Sequence, residues 1–104
     1  MLSASKPVVD QMVGEMADKI SLASELLSTN NDAMRIFQAI EEGRGKASGW
    51  SVIRSLGMQA ADVDLLLRRL KEYGVVDSTD AGLDGYYYLT KLGFALRNGL
   101  RVAV

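Results

Sequence analysis

The chain contains no cysteine, no histidine and a single proline among its 104 residues. The missing cysteine excludes disulfides, thiolate metal sites and a cysteine nucleophile, and the missing histidine removes the commonest general base and metal ligand. No apolar run approaches the ~20 residues that span a bilayer, and the first residues lack a signal-peptide core. These absences predict a non-enzymatic, cytoplasmic protein without metal, cofactor or membrane partner.

Charge is spread unevenly along the chain, although the net charge is only −1. Residues 1–43 carry three basic and seven acidic side chains, residues 44–71 carry six and two, and residues 72–104 carry three and four. Only the middle third therefore has the sign that suits an anionic partner such as a nucleic acid.

Apolar residues recur at alternating spacings of four and three near the N-terminus, which predicts an amphipathic helix. This seam consists of Val9, Val13, Met16, Ile20, Ala23 and Leu27. It can pack on its own domain or on a second copy of the chain. The following Asn30-Asn31-Asp32 predicts a turn and an N-cap, so we divide the chain into residues 1–30, a flexible start with the amphipathic helix, and a domain of residues 31–104.

Three further helices are predicted before residue 74 by the spacing of apolar residues and by the glycines that end them. These glycines are Gly43, Gly57 and Gly74, and residues 43–49, which include three glycines, predict a loop after the first of these helices. Val75-Val76 predicts the start of a strand, residues 77–85 a polar loop, and residues 86–89 a returning strand. Thr90 predicts the cap of a last helix, and the apolar residues 99–104 predict a strand or a cut end.

The order of these elements resembles the winged helix-turn-helix domain of small bacterial and archaeal regulators, such as the MarR, ArsR and PadR groups. The resemblance covers roughly residues 31–99 and is carried by Gly57-Met58, Tyr73-Gly74-Val75-Val76, Tyr88-Leu89-Thr90 and Leu92-Gly93. It implies a mainly α fold with a small β-wing (α+β), preceded by a long N-terminal helix. It also implies a DNA-binding transcriptional regulator that forms a homodimer through that helix.

In such families the helix corresponding to residues 60–73 enters the major groove of double-stranded DNA, and a wing near residues 79–84 lies along the backbone or the minor groove. The positions that would face base edges are Gln59, Ala60, Ala61 and Asp64. Basic side chains on the same helix and before it could contact phosphates. The candidate nucleic-acid-binding residues are therefore Lys46, Ser48, Arg54, Gln59, Ala61, Asp64, Arg68 and Arg69.

Several residues favour a different partner, because two alanines and two aspartates occupy the start of this helix and the wing is acidic. Asp64 and Arg68 also have the spacing of a simple i, i+4 ion pair. The outward face of this helix is predicted to carry Ala61, Leu65, Arg68 and Glu72, and an outward Leu65 suits a protein contact. The alternative is a protein–protein interaction module in a larger assembly, with candidate interface residues Val9, Val13, Met16, Ile20, Leu27 and Leu65.

Aromatic residues supply a third hypothesis. Alternation along a strand places Tyr86 and Tyr88 on one face and Tyr87 on the other. Packing and strand pairing explain most of this run, but an outward tyrosine could stack on bases. We therefore also consider a single-stranded nucleic-acid or RNA binder that uses Tyr87 and the basic middle third. The one tryptophan, Trp50, is expected in the core.

Overall fold

A computed structural model of the protein describes the backbone of residues 6–103 and the side chains of residues 18–99. Over this range five α-helices and three short strands follow one another. They are α1 (Lys6–Thr29), α2 (Asn31–Gly43), β1 (Ala47–Ser48), α3 (Gly49–Leu56), α4 (Ala60–Glu72), β2 (Val76–Ser78), β3 (Tyr86–Leu89) and α5 (Lys91–Ala103). A 3-10 turn at Gly82–Asp84 connects β2 to β3. The predicted class, mainly α with a small β-wing, is confirmed.

Local signals in the sequence set most of the helix ends. The side chains of Asn30, Ser48 and Thr90 each accept a hydrogen bond from the backbone N–H three residues further on, at 3.0, 3.1 and 3.1 Å. Each of these bonds satisfies one of the N–H groups that a helix start leaves open. Arg44 and Gly57 adopt left-handed conformations immediately after α2 and α3 and end both helices.

The sheet has the strand order β1-β3-β2, and both neighbours run antiparallel to β3. Tyr87 lies at its centre, opposite Ala47 of β1 and Ser78 of β2. The strand β1 falls within a segment that we predicted as a loop. Its two residues have no strand signal of their own, and they form a strand because β3 provides a pairing partner.

The hydrophobic core lies between the helices and the inner face of the sheet. Its largest fully buried side chains are Phe37, Ile36, Ile40, Leu67, Leu70, Val52, Val63, Val75 and Val76. Helix α1 contributes Ala23 and Leu27, which are 0% and 2% exposed. Leu27, predicted at an interface with another chain, instead packs inside its own protomer. The end of α1 therefore shares the core of the segment that follows it.

Three other expectations are corrected by the structure. Residues 99–103, for which a strand was one of two predictions, continue α5 to Ala103. Trp50, predicted in the core, is 47% exposed. Tyr87, which we considered as the base-stacking tyrosine, is only 3% exposed, whereas Tyr86 and Tyr88 lie on the open face. Alternation along β3 was predicted correctly, but the direction of the two faces was not.

Candidate nucleic-acid interface

Helices α3 and α4 form the helix-turn-helix unit, joined by the left-handed Gly57. Arg35 of α2 supports this unit by donating from Nη2 to the carbonyl oxygen of Leu56 at 3.1 Å. Helix α4 buries one face in the core through Val63, Leu66, Leu67 and Leu70. Its opposite face is exposed, as predicted, and carries Ala61, Leu65, Arg68 and Glu72.

The first turn of α4 is open to solvent. Gln59 precedes it in an extended conformation, and its side chain makes no capping hydrogen bond. Ala61 and Asp62 are exposed, whereas Asp64 is half-buried. The first-turn N–H groups and small side chains could approach a polyanion closely, but the carboxylate of Asp62 opposes it.

Arginines on the helix-turn-helix unit supply its positive charge. Arg68 Nη2 lies 3.0 Å from Asp64 Oδ2, which confirms the i, i+4 spacing as an ion pair. The Arg68 side chain is 75% exposed, and an exposed pair of this kind is worth at most about 1 kcal/mol, so a phosphate could compete for the guanidinium. Arg54 and Arg69 are exposed and form no ion pair with the side chains of residues 18–99.

The remaining candidate residues lie outside α3 and α4. Ser48 is half-buried and caps α3, so its hydroxyl already accepts a hydrogen bond. Lys46 immediately precedes β1, and the sheet register extends to place it opposite Tyr88, on the outer face of the sheet. Lys46 and Ser48 therefore lie outside the two helices that carry Arg54, Arg68 and Arg69, although Ser48 directly precedes α3.

The 3-10 turn at Gly82–Asp84, which we call the wing turn, is packed against α3. Gly49 lies so close to Leu83 that an added Cβ atom would be 2.6 Å from the Leu83 Cα atom. Trp50 Nε1 donates to Asp84 Oδ1 at 2.8 Å, and the backbone N–H of Gly49 donates to the carbonyl of Gly85 at 3.3 Å. Each of these contacts joins residues at least 34 positions apart, so no local pattern in the sequence could indicate them.

The side chains of Tyr87 and Lys71 make further contacts that hold the wing turn and the strand β2 in place. The Tyr87 hydroxyl donates to the carbonyl oxygen of Gly82 at 2.9 Å, and burial raises the pKa of the Tyr87 phenol above its usual value. Lys71 Nζ donates to Ser78 Oγ at 2.9 Å and lies 3.9 Å from Asp77 Oδ1. The ammonium group of Lys71, part of the basic middle third, therefore contacts side chains of β2.

A groove of about 750 Å³ opens between α2, β3 and α5, away from the helix-turn-helix unit. It is lined by Ile40, Glu41, Glu42, Arg44, Gly45, Tyr88, Leu89, Phe94 and Arg97. Arg97 Nη1 lies 3.0 Å from Glu41 Oε1, and its guanidinium carbon lies 5.0 Å from the centre of the Phe94 ring. The Nε atom of Arg97 is buried without a hydrogen-bond partner. Our sequence interpretation did not identify this groove.

Metal-binding and membrane-spanning features are not found in the part of the chain that the structure describes. Among these residues, no group of three or more acidic side chains could hold a metal ion. None of the described helices is long and apolar enough to cross a membrane.

The helix-turn-helix unit and the three-stranded antiparallel sheet, whose first strand precedes the unit and whose other two follow it, define a winged helix-turn-helix fold. A solved structure with this fold, the multiple antibiotic-resistance repressor (MarR) from Listeria monocytogenes 4b F2365, superposes with a TM-score of 0.65. The match covers 97% of this chain and 70% of the repressor, at 14% identity, and confirms the predicted fold. No known family profile and no curated protein sequence matches the chain.

Proposed function

We propose that the protein is a DNA-binding transcriptional regulator that docks α4 in the major groove. The observation that carries this proposal is the exposed side of α4, where Arg69 forms no ion pair with the described side chains and the exposed Arg68 pairs only with Asp64. Arg54 adds a third exposed guanidinium on α3. Exposed arginines on a helix-turn-helix unit are suited to phosphate contacts that position a recognition helix. The structural similarity to a protein described as a repressor also supports this proposal.

Dimerisation through α1 is part of the same proposal. Helix α1 is 24 residues long, and Ala23 and Leu27 near its end pack in the core. Ile20, one turn earlier on the same seam, is 38% exposed. The other predicted interface residues, Val9, Val13 and Met16, lie outside the described side chains. A second copy of α1 would cover the exposed part of this seam. The cytoplasmic location stays a prediction.

The DNA-binding proposal is tested by fluorescence anisotropy on a random-sequence 20-base-pair duplex, from low to physiological salt. We expect binding that weakens steeply with salt. The double variant Arg68→Ala/Arg69→Ala should bind more weakly and reduce the salt slope by about 1 for each phosphate that is no longer neutralised. A matched control, Lys19→Ala/Lys91→Ala, removes two exposed charges elsewhere. Equal weakening in both variants, or no duplex binding at low salt, would refute this interface.

A second candidate function is a protein-interaction module, and Leu65 favours it. This side chain is 52% exposed at the middle of the same α4 face. It is flanked by Ala61 and by the Asp64–Arg68 pair, so the centre of the face is apolar and nearly neutral. Such a surface fits a protein partner better than a row of phosphates.

The variant Leu65→Lys distinguishes the two functions, because each function predicts a different effect of the variant on duplex binding. If α4 docks on DNA, an added cation on its exposed face should tighten duplex binding and steepen the salt dependence. If α4 docks on a protein, the duplex binds neither the wild type nor the variant. Leu65 is exposed in the protomer, so the melting temperature should stay the same in either case.

A further inference from the structure

Three aromatic rings are exposed on the side of the molecule that carries the groove. Tyr86 and Tyr88 are 50% and 40% exposed and share the outer face of β3, because the buried Tyr87 between them points inward. Phe94 of α5 is 46% exposed and lines the groove together with Tyr88. We call Tyr86, Tyr88 and Phe94 the aromatic face. Exposed aromatic side chains grouped in this way are typical of binding surfaces.

Cations flank the aromatic face. Arg44 lines the groove, and Lys46 lies opposite Tyr88 in the extended register. Neither forms an ion pair with the described side chains.

The acids nearby are largely compensated. Asp77 on the neighbouring strand lies next to Lys71, and Glu41 is paired with Arg97. Glu42 is the remaining acid in the groove lining. Within the groove lining and the register position opposite Tyr88, the two unpaired cations exceed the one unpaired acid, which favours an anionic ligand at Tyr88 over a cationic one.

Arg97 adds an unsatisfied donor to the wall of the groove. Its Nη1 is bonded to Glu41 and its Nη2 to Asn98, at 3.0 and 3.2 Å. Its Nε, however, is buried and has no acceptor. Buried donors without a partner are rare, because desolvation of an unpaired N–H is unfavourable. The Nε atom is closed to solvent, so an acceptor on a ligand in the groove reaches it only if the Arg97 side chain moves.

The spacing of the two tyrosines fits a single strand of nucleic acid better than a base-paired duplex. Residues two apart on a strand are separated by about 7 Å. Bases stacked on Tyr86 and Tyr88 would therefore lie roughly twice as far apart as the 3.4 Å step along a duplex strand. A single strand can extend to this spacing, whereas a base-paired duplex cannot without losing its stacking.

We propose that the aromatic face binds single-stranded nucleic acid, as a site separate from α4. Successive bases stack on Tyr86 and Tyr88, and the base on Tyr88 enters the groove beside Phe94 and Arg97. Arg44 and Lys46 contact the phosphates of the bound single strand. This assignment replaces Tyr87, the tyrosine suggested by the sequence, with the two tyrosines that flank it.

The test is anisotropy of a labelled 12-nucleotide oligothymidine at low salt, with the full chain. We expect Tyr86→Leu and Tyr88→Leu each to lower the affinity roughly tenfold, and Tyr88→Phe to keep it, because the ring and not the hydroxyl stacks. Trp50→Leu, which removes an exposed ring on α3, is the matched control and should bind as the wild type does. Arg68→Ala should also leave this affinity unchanged, which separates the aromatic face from the α4 surface.

Thermal melting by circular dichroism verifies that each variant is folded. Failure of the oligonucleotide to bind at low salt would overturn the proposal, as would equal affinity in the wild type and both leucine variants. Light scattering supplies a further check. If Tyr86→Leu or Tyr88→Leu dissociates a dimer and no single strand binds the wild type, the aromatic face is a contact between copies, and the proposal is wrong.

Discussion

Gly93 occupies the first turn of α5 at a point where helix and sheet almost touch. A Cβ atom at this position would collide with the carbonyl oxygen of Val75 and would lie 3.3 Å from the Leu89 Cβ atom. Backbone atoms cannot rotate away as a side chain can, so the missing side chain sets the distance between α5 and the sheet. Thr90, which caps this helix, keeps the same turn in register by donating from its hydroxyl to the carbonyl of Gly74.

We therefore expect Gly93→Ala to destabilise the fold by about 1–3 kcal/mol, as overpacking does. The control is Gly99→Ala in the same helix, where an added Cβ atom would meet nothing within 4 Å. That change should stabilise the protein by up to roughly 1 kcal/mol, because alanine favours helices. Urea unfolding of the two variants measures both effects. A stability for Gly93→Ala equal to that of the wild type would show that α5 moves freely on the sheet.

At this scale, the sequence predicted features that depend on near neighbours. The caps at Asn30 and Thr90 satisfy backbone groups three residues away, so the local sequence contains both partners. The burial of Tyr87 and the exposure of Trp50 depend on contacts with other segments. Tyr87 reaches the wing turn, and Trp50 reaches Asp84, 34 residues away. Tryptophan side chains are usually buried, which is why we expected Trp50 in the core. Its hydrogen bond to Asp84 instead holds the ring at the surface.

Among the elements, the wing turn differs most from the expectation that the resemblance supplied. A wing that lies along DNA has to extend from the domain. Here Gly49 and Leu83 are in direct contact, and Trp50 holds Asp84. The carboxylate of Asp84 is therefore kept beside α3, and duplex binding should depend on α4 and its arginines.

The variant Asp84→Ala should release the indole of Trp50 and change its fluorescence, because Trp50 is the one tryptophan in the chain. Loss of this exposed hydrogen bond should lower stability by about 1 kcal/mol or less. Asp80→Ala removes a carboxylate from the same turn that does not bond the indole, and its emission spectrum should match that of the wild type. Identical spectra in all three proteins would contradict a docked wing.

The helices of the candidate site were largely predictable, because α4 shows its buried and exposed faces in the spacing of its apolar residues. Leu65 and Arg68 were placed outward from that spacing, and the structure confirms both. Strand β1 was not predictable, since Ala47 and Ser48 pair only when β3 lies beside them. The groove was missed for the same reason, because its walls come from three elements.

At the scale of the whole molecule, α1 gives the protein an elongated shape, with extents of 56 × 33 × 22 Å. Residues 18–22 of this helix all have exposed side chains, and the buried Ala23 and Leu27 lie nearer its end. Ile20 and Leu22 are 38% and 47% exposed, but only Ile20 lies on the apolar seam. They therefore form a matched pair for testing whether the seam joins two copies.

We expect Ile20→Glu to convert a dimer to a monomer, because it places a charge in the seam. Leu22→Glu introduces the same charge off the seam and should leave the dimer intact. Size-exclusion chromatography with light scattering measures the mass of each variant. Both side chains are exposed in the protomer, so neither change should unfold it. A monomeric wild type, or equal masses for both variants, would argue against dimerisation through α1.

The strand order β1-β3-β2 also bears on the solubility of the folded protein. The longest strand, β3, has both edges paired, and the two outer strands contain only two and three residues. An edge this short offers few free N–H and C=O groups to another chain, and short edge strands are a known protection against aggregation. The sheet is therefore a poor template for growth by edge-to-edge pairing. Any self-association through the sheet should instead use side chains, such as the two exposed tyrosines on its outer face.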